Sequence, residues 1–211
     1  MIGAMSAPES ARPKPVRDGA GFFRTFLRNP RSVGAVLPSS RYLARALVGR
    51  LDTMESGELV VEYGPGTGPM TAAIGGALPQ GVSYLGIELE PGFHDLLTQR
   101  FPNMQFHLGS AADVTSILVE RELPRPSRIL SGLPFASLPT QVQSAVVDGI
   151  VDSLRGTPGE FRTFQYVHAY GLKAARRFRV MMRERFESFE RIGPIVRNVP
   201  PAFVLRYWNA K

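Results

Sequence analysis

Leu59-Val60-Val61-Glu62-Tyr63-Gly64-Pro65-Gly66-Thr67-Gly68-Pro69-Met70-Thr71 is the stretch from which the fold is read. An apolar, β-branched run stops at an acid, enters a turn with glycine at every second position, and continues into residues able to form a helix. This reads as a buried strand, a tight loop and a helix starting near Pro69 or Met70. The three glycines allow positive φ and remove the Cβ atoms that would hold a ligand off the main chain. Such a loop belongs at the carboxyl end of a strand, where open α/β sheets bind their ligands. A dinucleotide fingerprint is excluded by spacing, because Gly68 comes one residue too early for Gly-x-Gly-x-x-Gly.

Outward from the loop, Tyr84-Leu85-Gly86-Ile87-Glu88 reads as a second buried strand ending in a carboxylate. It lies roughly 20 residues on, where an acid is placed to accept hydrogen bonds from both hydroxyls of a ribose. Met104–Leu108 is expected as a third strand, followed by Ser110-Ala111-Ala112-Asp113. Asp113 either contacts a ligand or caps the next helix, Val114–Arg121. Arg128–Phe135 is the fourth strand and its turn, Gln141–Leu154 a helix, and Phe161–Val167 the fifth strand. Leu172–Phe186 is basic and partly helical, and the chain is expected to close with a β-hairpin of arms Ile195–Asn198 and Ala202–Trp208 about Val199-Pro200-Pro201. The alternation of strand and helix predicts an α/β Rossmann-like fold: a mostly parallel seven-stranded sheet, helices on both faces, and a C-terminal antiparallel hairpin.

Before the first strand, residues 1–17 are expected to form a disordered tail. Residues 18–52 are expected to carry two helices, and 53–211 the α/β domain. In the first helix Phe22, Phe23 and Phe26 share a face opposite Arg24 and Arg28. That composition suits an interfacial membrane segment, or an aromatic face docked on the domain's own core. The second helix, about Arg41–Leu51, is expected to be capped by Ser39 or Ser40 and to fold over the ligand pocket.

Composition narrows the chemistry. The 211 residues contain no cysteine and three histidines, His94, His107 and His168, so no metal site is expected. No run approaches the roughly 18 apolar residues of a spanning helix, and a cytoplasmic setting is the default. The net charge of +7 is unevenly spread. Residues 1–50 hold nine Lys/Arg against two acids, residues 51–160 five against thirteen, and residues 161–211 eleven against three. Basic ends about an acidic centre suit an anionic partner, either nucleic acid or an anionic membrane surface.

Glu62-x-Gly64-x-Gly66-x-Gly68 resembles the first motif of class I S-adenosylmethionine-dependent methyltransferases. The resemblance implies S-adenosyl-L-methionine as cofactor and S-adenosyl-L-homocysteine as product. It implies a site in which Glu62 approaches the methionine ammonium, Tyr63, Gly64, Gly66, Thr67 and Gly68 line the cofactor, and Glu88 and Leu89 meet the ribose. Ser110, Ala111 and Ala112 lie where such folds contact adenine, with Gly132, Leu133, Ser39 and Ser40 completing the set.

Phe22-Phe23-Arg24, Val33-Gly34-Ala35-Val36-Leu37-Pro38-Ser39-Ser40, the glycine loop, Gly132-Leu133-Pro134-Phe135 and Val199-Pro200-Pro201-Ala202 together look like the bacterial phospholipid N-methyltransferases. These convert phosphatidylethanolamine toward phosphatidylcholine. The resemblance implies a phospholipid substrate and an enzyme peripheral on the inner face of the membrane. Anionic membrane contact would run through Phe22, Phe23, Phe26, Arg24, Arg28 and the basic cluster Lys173, Arg176, Arg177 and Arg179. Phe135, Tyr166 and Tyr170 are the candidate aromatic walls for a methylated cation, and His168 the candidate proton acceptor; either tyrosine could equally be a packed residue.

The related ribosomal RNA adenine dimethylases carry Asn-Leu-Pro-Phe/Tyr where this chain has Gly132-Leu133-Pro134-Phe135. Gly132 lacks the amide that accepts from adenine, and the chain ends soon after the sheet without room for an extra RNA-binding domain, so nucleic acid is disfavoured. A non-catalytic S-adenosylmethionine-binding module is the remaining alternative.

Overall fold

The computed structural model describes residues 40–211. Seven strands form one sheet: β1 Leu59–Tyr63, β2 Ser83–Glu88, β3 Gln105–Leu108, β4 Arg128–Ser131, β5 Glu160–Tyr166, β6 Phe186–Ile195 and β7 Ala202–Ala210. Their order is β3-β2-β1-β4-β5-β7-β6. The first five are parallel, and the β6–β7 hairpin adds antiparallel to β5. This is the Rossmann-like arrangement expected from the sequence.

Six helices flank the sheet among the described residues: α1 Arg41–Val48, α2 Pro69–Gly75, α3 Pro91–Arg100, α4 Val114–Glu120, α5 Thr140–Leu154 and α6 Lys173–Arg185. Strand periodicity of two divides the core between the two faces. Leu59, Val61 and Tyr63 of β1 pack with Val114, Ile117, Val147, Ile150 and Phe178 of α4, α5 and α6. Val60 packs the other way, with Leu43, Leu47, Met70, Ile74 and Leu97 of α1, α2 and α3. Every β1 side chain is buried, as a central strand covered on both sides requires.

The strand order places the carboxyl ends of β1, β2, β4 and β5 on one rim. The rim is therefore built from 64–68 after β1, Leu89 after β2, 109–112 after β3, 132–135 after β4 and 167–172 after β5. The hairpin reaches the same rim, because Tyr166 pairs with Ala202 at the start of β7 and the Val167 N–H donates to the Pro201 carbonyl at 2.9 Å.

α1 is fixed at both ends. At its start the Ser40 hydroxyl accepts from the Leu43 N–H at 3.3 Å, and the Ser40 N–H donates to Asn198 Oδ1 at 3.0 Å. At its end Gly49 has φ +61°, and a Cβ there would overlap the Arg162 guanidinium. Arg162 itself donates to the Leu47 carbonyl at 3.5 Å and pairs with Glu160 at 2.7 Å. The helix thus stops at Val48, short of the expected Leu51, which belongs to a separate turn.

The first hairpin arm also differs from expectation. β6 begins at Phe186, directly after α6 ends at Arg185, and finishes at Ile195, where the arm was expected to begin. It is an edge strand with Glu187, Glu190 and Arg191 exposed along it, the charged character by which edges avoid further pairing. That character hid it from a search for apolar alternation.

Candidate functional site

Gly64, Gly66 and Gly68 all have positive φ, at 63°, 59° and 84°. Their surroundings differ. A Cβ on Gly64 would stand 2.6 Å from Leu133 Cδ2, and one on Gly68 2.5 Å from the Phe101 ring. A Cβ on Gly66 would meet nothing within 4 Å. Gly64 and Gly68 are therefore required by the protein's own packing, while Gly66 faces open space on the rim. The Thr67 side is exposed, and its carbonyl accepts from Arg100 at 2.8 Å.

Gly132 interlocks with this loop. Its N–H donates to the Tyr63 carbonyl at 2.9 Å, and a Cβ there would stand 2.9 Å from the Gly64 carbonyl oxygen. Leu133 is held by its own N–H to Ser131 Oγ at 3.1 Å and packs against Gly64. The turn after β4 thus leaves no place for a side chain at residue 132 while the glycine loop keeps its course.

Glu88 is 1 % exposed at the end of β2. One carboxylate oxygen accepts from the Gly66 N–H at 2.9 Å; the other accepts from Leu89 at 2.9 Å and Glu90 at 3.0 Å. Burial raises its pKa, and these three donors oppose that rise. A carboxylate offers about four acceptor positions, so three are used within the protein. That leaves one acceptor position free.

Glu62 is fully buried behind the loop. One oxygen accepts from Thr71 Oγ1 at 2.8 Å and from the Tyr84 hydroxyl at 2.5 Å; the other has no partner among the described residues. Burial pushes its pKa up to about 7, against the lowering effect of Tyr84 and Thr71. A carboxyl raised from 4.5 in this way holds its proton in the folded state when the unfolded chain has already lost it. Its contribution to stability is complete below about pH 4.5 and lost as pH rises through about 7. The loss amounts to about 3 kcal/mol. Urea unfolding at pH 5 and pH 8 is expected to show it, and Glu62→Gln should remove most of the difference; an unchanged slope in the variant would disprove the assignment.

The remaining expected residues divide clearly. Ser40 caps α1 and Ser39 lies outside the described residues, as do Phe22, Phe23, Phe26, Arg24 and Arg28. Ser110 Oγ accepts from the Ala112 N–H at 3.2 Å, shaping the turn in which Ala111 and Ala112 sit half-buried on the rim. Leu89 is half-buried beside them. Asp113 stands at the start of α4 but makes no side-chain cap. Tyr63 reaches the site only through its carbonyl, because its ring is buried in the core and its hydroxyl pKa is raised by burial.

Phe135 is corrected from a substrate wall to a core residue. Its ring is 1 % exposed, stacked on Phe178 at 4.2 Å and edge-on to Phe161 at 6.0 Å. Tyr166 and Tyr170 are not brought together either. Tyr166 packs toward the α1–α3 face, stacked on His168 with centroids 5.6 Å apart and rings 14° from parallel. Tyr170 packs toward the other face, under the Arg179 guanidinium at 3.7 Å. What stands at the end of β5 is the Tyr166–His168 pair, with a Tyr166 hydroxyl that has no partner among the described residues and a pKa raised by burial.

Several arginines of the basic helix α6 are engaged by neighbouring groups of the protein. Arg177 donates to Gln143 at 3.0 Å, Arg179 to Gln165 at 2.6 Å and the Tyr170 carbonyl at 2.9 Å, and Arg185 pairs with Asp148 at 2.8 Å. Lys173, Arg176, Arg177 and Arg183 are nonetheless exposed. Sequence reasoning missed Thr71, Tyr84, Gln143 and Asn198, the polar residues that hold the site's frame. No helix among the described residues is long and apolar enough to cross a membrane, and no cluster there could hold a metal ion.

No protein-family model matches the chain. Among curated proteins it is 29% identical over 184 residues to ornithine lipid N-methyltransferase of Singulisphaera acidiphila, covering 86% of this chain and 91% of that protein. Among solved structures it is similar to precorrin-6y C5,15-methyltransferase of Geobacter metallireducens (TM-score 0.60, 11% identity, 80% of this chain and 88% of that one). It is also similar to the O-methyltransferase TomG of Streptomyces achromogenes, solved with S-adenosylmethionine (TM-score 0.58, 16% identity, 92% and 91%). The fold is that of the class I methyltransferases.

Proposed function

We propose that this chain is an S-adenosylmethionine-dependent N-methyltransferase acting on the amine of a membrane-lipid headgroup. The observation that carries the reading is the likeness to a lipid N-methyltransferase along nearly the full length of both proteins. The residues present fit the cofactor. Gly66 leaves open space on the rim, Glu88 keeps one free acceptor position there, and Glu62 has a buried oxygen that a ligand ammonium would supply with a donor.

S-adenosylmethionine supplies an electrophilic methyl group. The chain's own work is to align the amine and keep it unprotonated. The nitrogen lone pair forms the new C–N bond as the S–C bond breaks, and the ammonium proton must leave first. His168 is the proposed acceptor, a reading supported by its exposure beside Tyr166 at the end of β5. An alkyl amine is a good nucleophile once neutral, so the acceptor amide absent at Gly132 is not needed.

Phosphatidylethanolamine and its methylated intermediates are the proposed substrates, with ornithine lipid as the second candidate because of the curated relative. Labelled S-adenosylmethionine with vesicles of either lipid tests this. Label is expected in lipid and not in structured RNA; label in RNA alone would support an adenine dimethylase, and binding without turnover a non-catalytic module.

A further inference from the structure

Two arginines of this rim converge on one ring without an acid between them. The Arg41 guanidinium lies 5.0 Å from the centroid of Tyr42 and donates to its hydroxyl at 3.0 Å. Arg197, from the β6–β7 loop, lies 5.3 Å from the same centroid. Neither forms an ion pair among the described residues. Each keeps N–H donors that an anion beside the ring would engage in charge-assisted hydrogen bonds. The two segments are held in register by the Ser40 N–H bond to Asn198, and Asn198 Nδ2 donates to the Pro200 carbonyl at 2.6 Å. The cluster is thus fixed at the end of the sheet where β5 delivers Tyr166 and His168. Arg197 is flanked by Val196 and Val199, 67% and 75% exposed, and Val167 on the adjoining loop is 40% exposed. Apolar side chains bracketing a cation on an exposed turn suit the boundary between headgroups and acyl chains.

We propose that Arg41, Tyr42 and Arg197 form the binding site for the anionic group of the lipid headgroup, phosphate or carboxylate, while Val196 and Val199 enter the apolar layer beside it. This rests on the lipid-amine reading above and deepens it. Holding the anion fixes one end of a zwitterionic headgroup and leaves its amine to reach the Tyr166–His168 end of β5. Guanidinium groups bind phosphate and carboxylate alike through paired N–H donors, so the source of the anion is a matter for experiment.

The test is calorimetric titration of the full chain with two soluble probes, dihexanoyl phosphatidylethanolamine and a short-chain N-acyl ornithine. The double variant R41A/R197A is expected to bind at least one of them about tenfold or more weakly. R41K/R197K should recover part of the loss, and S-adenosylmethionine affinity should stay as in the wild type. The probe that responds identifies phosphate or carboxylate. Unchanged affinity for both probes, or no binding of either by the wild type, would overturn the site. If the probes respond but the wild type methylates neither lipid, the site stands and the proposed reaction falls.

Discussion

Glu88→Ala is expected to weaken S-adenosylmethionine binding by a hundredfold or more, measured by calorimetry. The carboxylate accepts from three main-chain N–H groups, of Gly66, Leu89 and Glu90, and among the described residues it is the side chain that ties the glycine loop to the end of β2. A hydrogen bond to a charged group contributes about 1.5–3 kcal/mol, and about 2.7 kcal/mol already corresponds to a hundredfold. The alanine variant also leaves three donors without partners, so part of its effect falls on stability. Glu88→Gln separates the two. It keeps the volume and one acceptor oxygen, but sets an amide N–H2 group against a donor on one side. Its melting temperature should fall less than that of the alanine variant, since two of the three donors keep an acceptor, while affinity drops. Wild-type affinity in both variants would end the cofactor proposal at this position.

Gly132→Asn is expected to lower methyl transfer to lipid about a hundredfold and to create no activity on adenine in RNA. Restoring the asparagine of the RNA enzymes would look like a gain of function from sequence alone. Here its Cβ would stand 2.9 Å from the Gly64 carbonyl, and Gly64 is itself closed in by Leu133. The loop has to move before the new amide can act. Gly132→Ala carries the same obstruction without the amide and should lose nearly as much. Gly66→Ala provides the contrast: its Cβ has open space, so its cost to the fold is the roughly 1–2 kcal/mol of a positive φ, while the ligand's room is reduced. Full lipid activity in Gly132→Asn, or methylation of RNA by it, would show the obstruction to be unimportant.

The sheet was legible because its strands are buried runs ending in marked residues. Val60 and Val61 lead to Glu62, Leu85 and Ile87 lead to Glu88, and the helices between them carry apolar faces. β6 was not legible, since its exposed acids and arginines belong to an edge rather than a core. At the site, the glycine loop and Glu88 could be placed from spacing alone. Their hydrogen-bond partners could not: Thr71 and Tyr84 meet Glu62 from a helix and a neighbouring strand, and nothing in one sequence pairs them. Phe135, Tyr166 and Tyr170 show the other limit. Each lies at or just beyond a strand end, yet the direction of its ring depends on which face of the sheet it leaves, and this sends Phe135 inward and parts the two tyrosines.

Because α1 is fastened to the hairpin loop at Ser40 and to Arg162 through the Leu47 carbonyl, it behaves as an eighth rib of the sheet's frame rather than a hinged flap. A flexible insertion between Gly49 and Leu59 would loosen that rib from the strand it leads into, and thermal unfolding should register it as a lower midpoint.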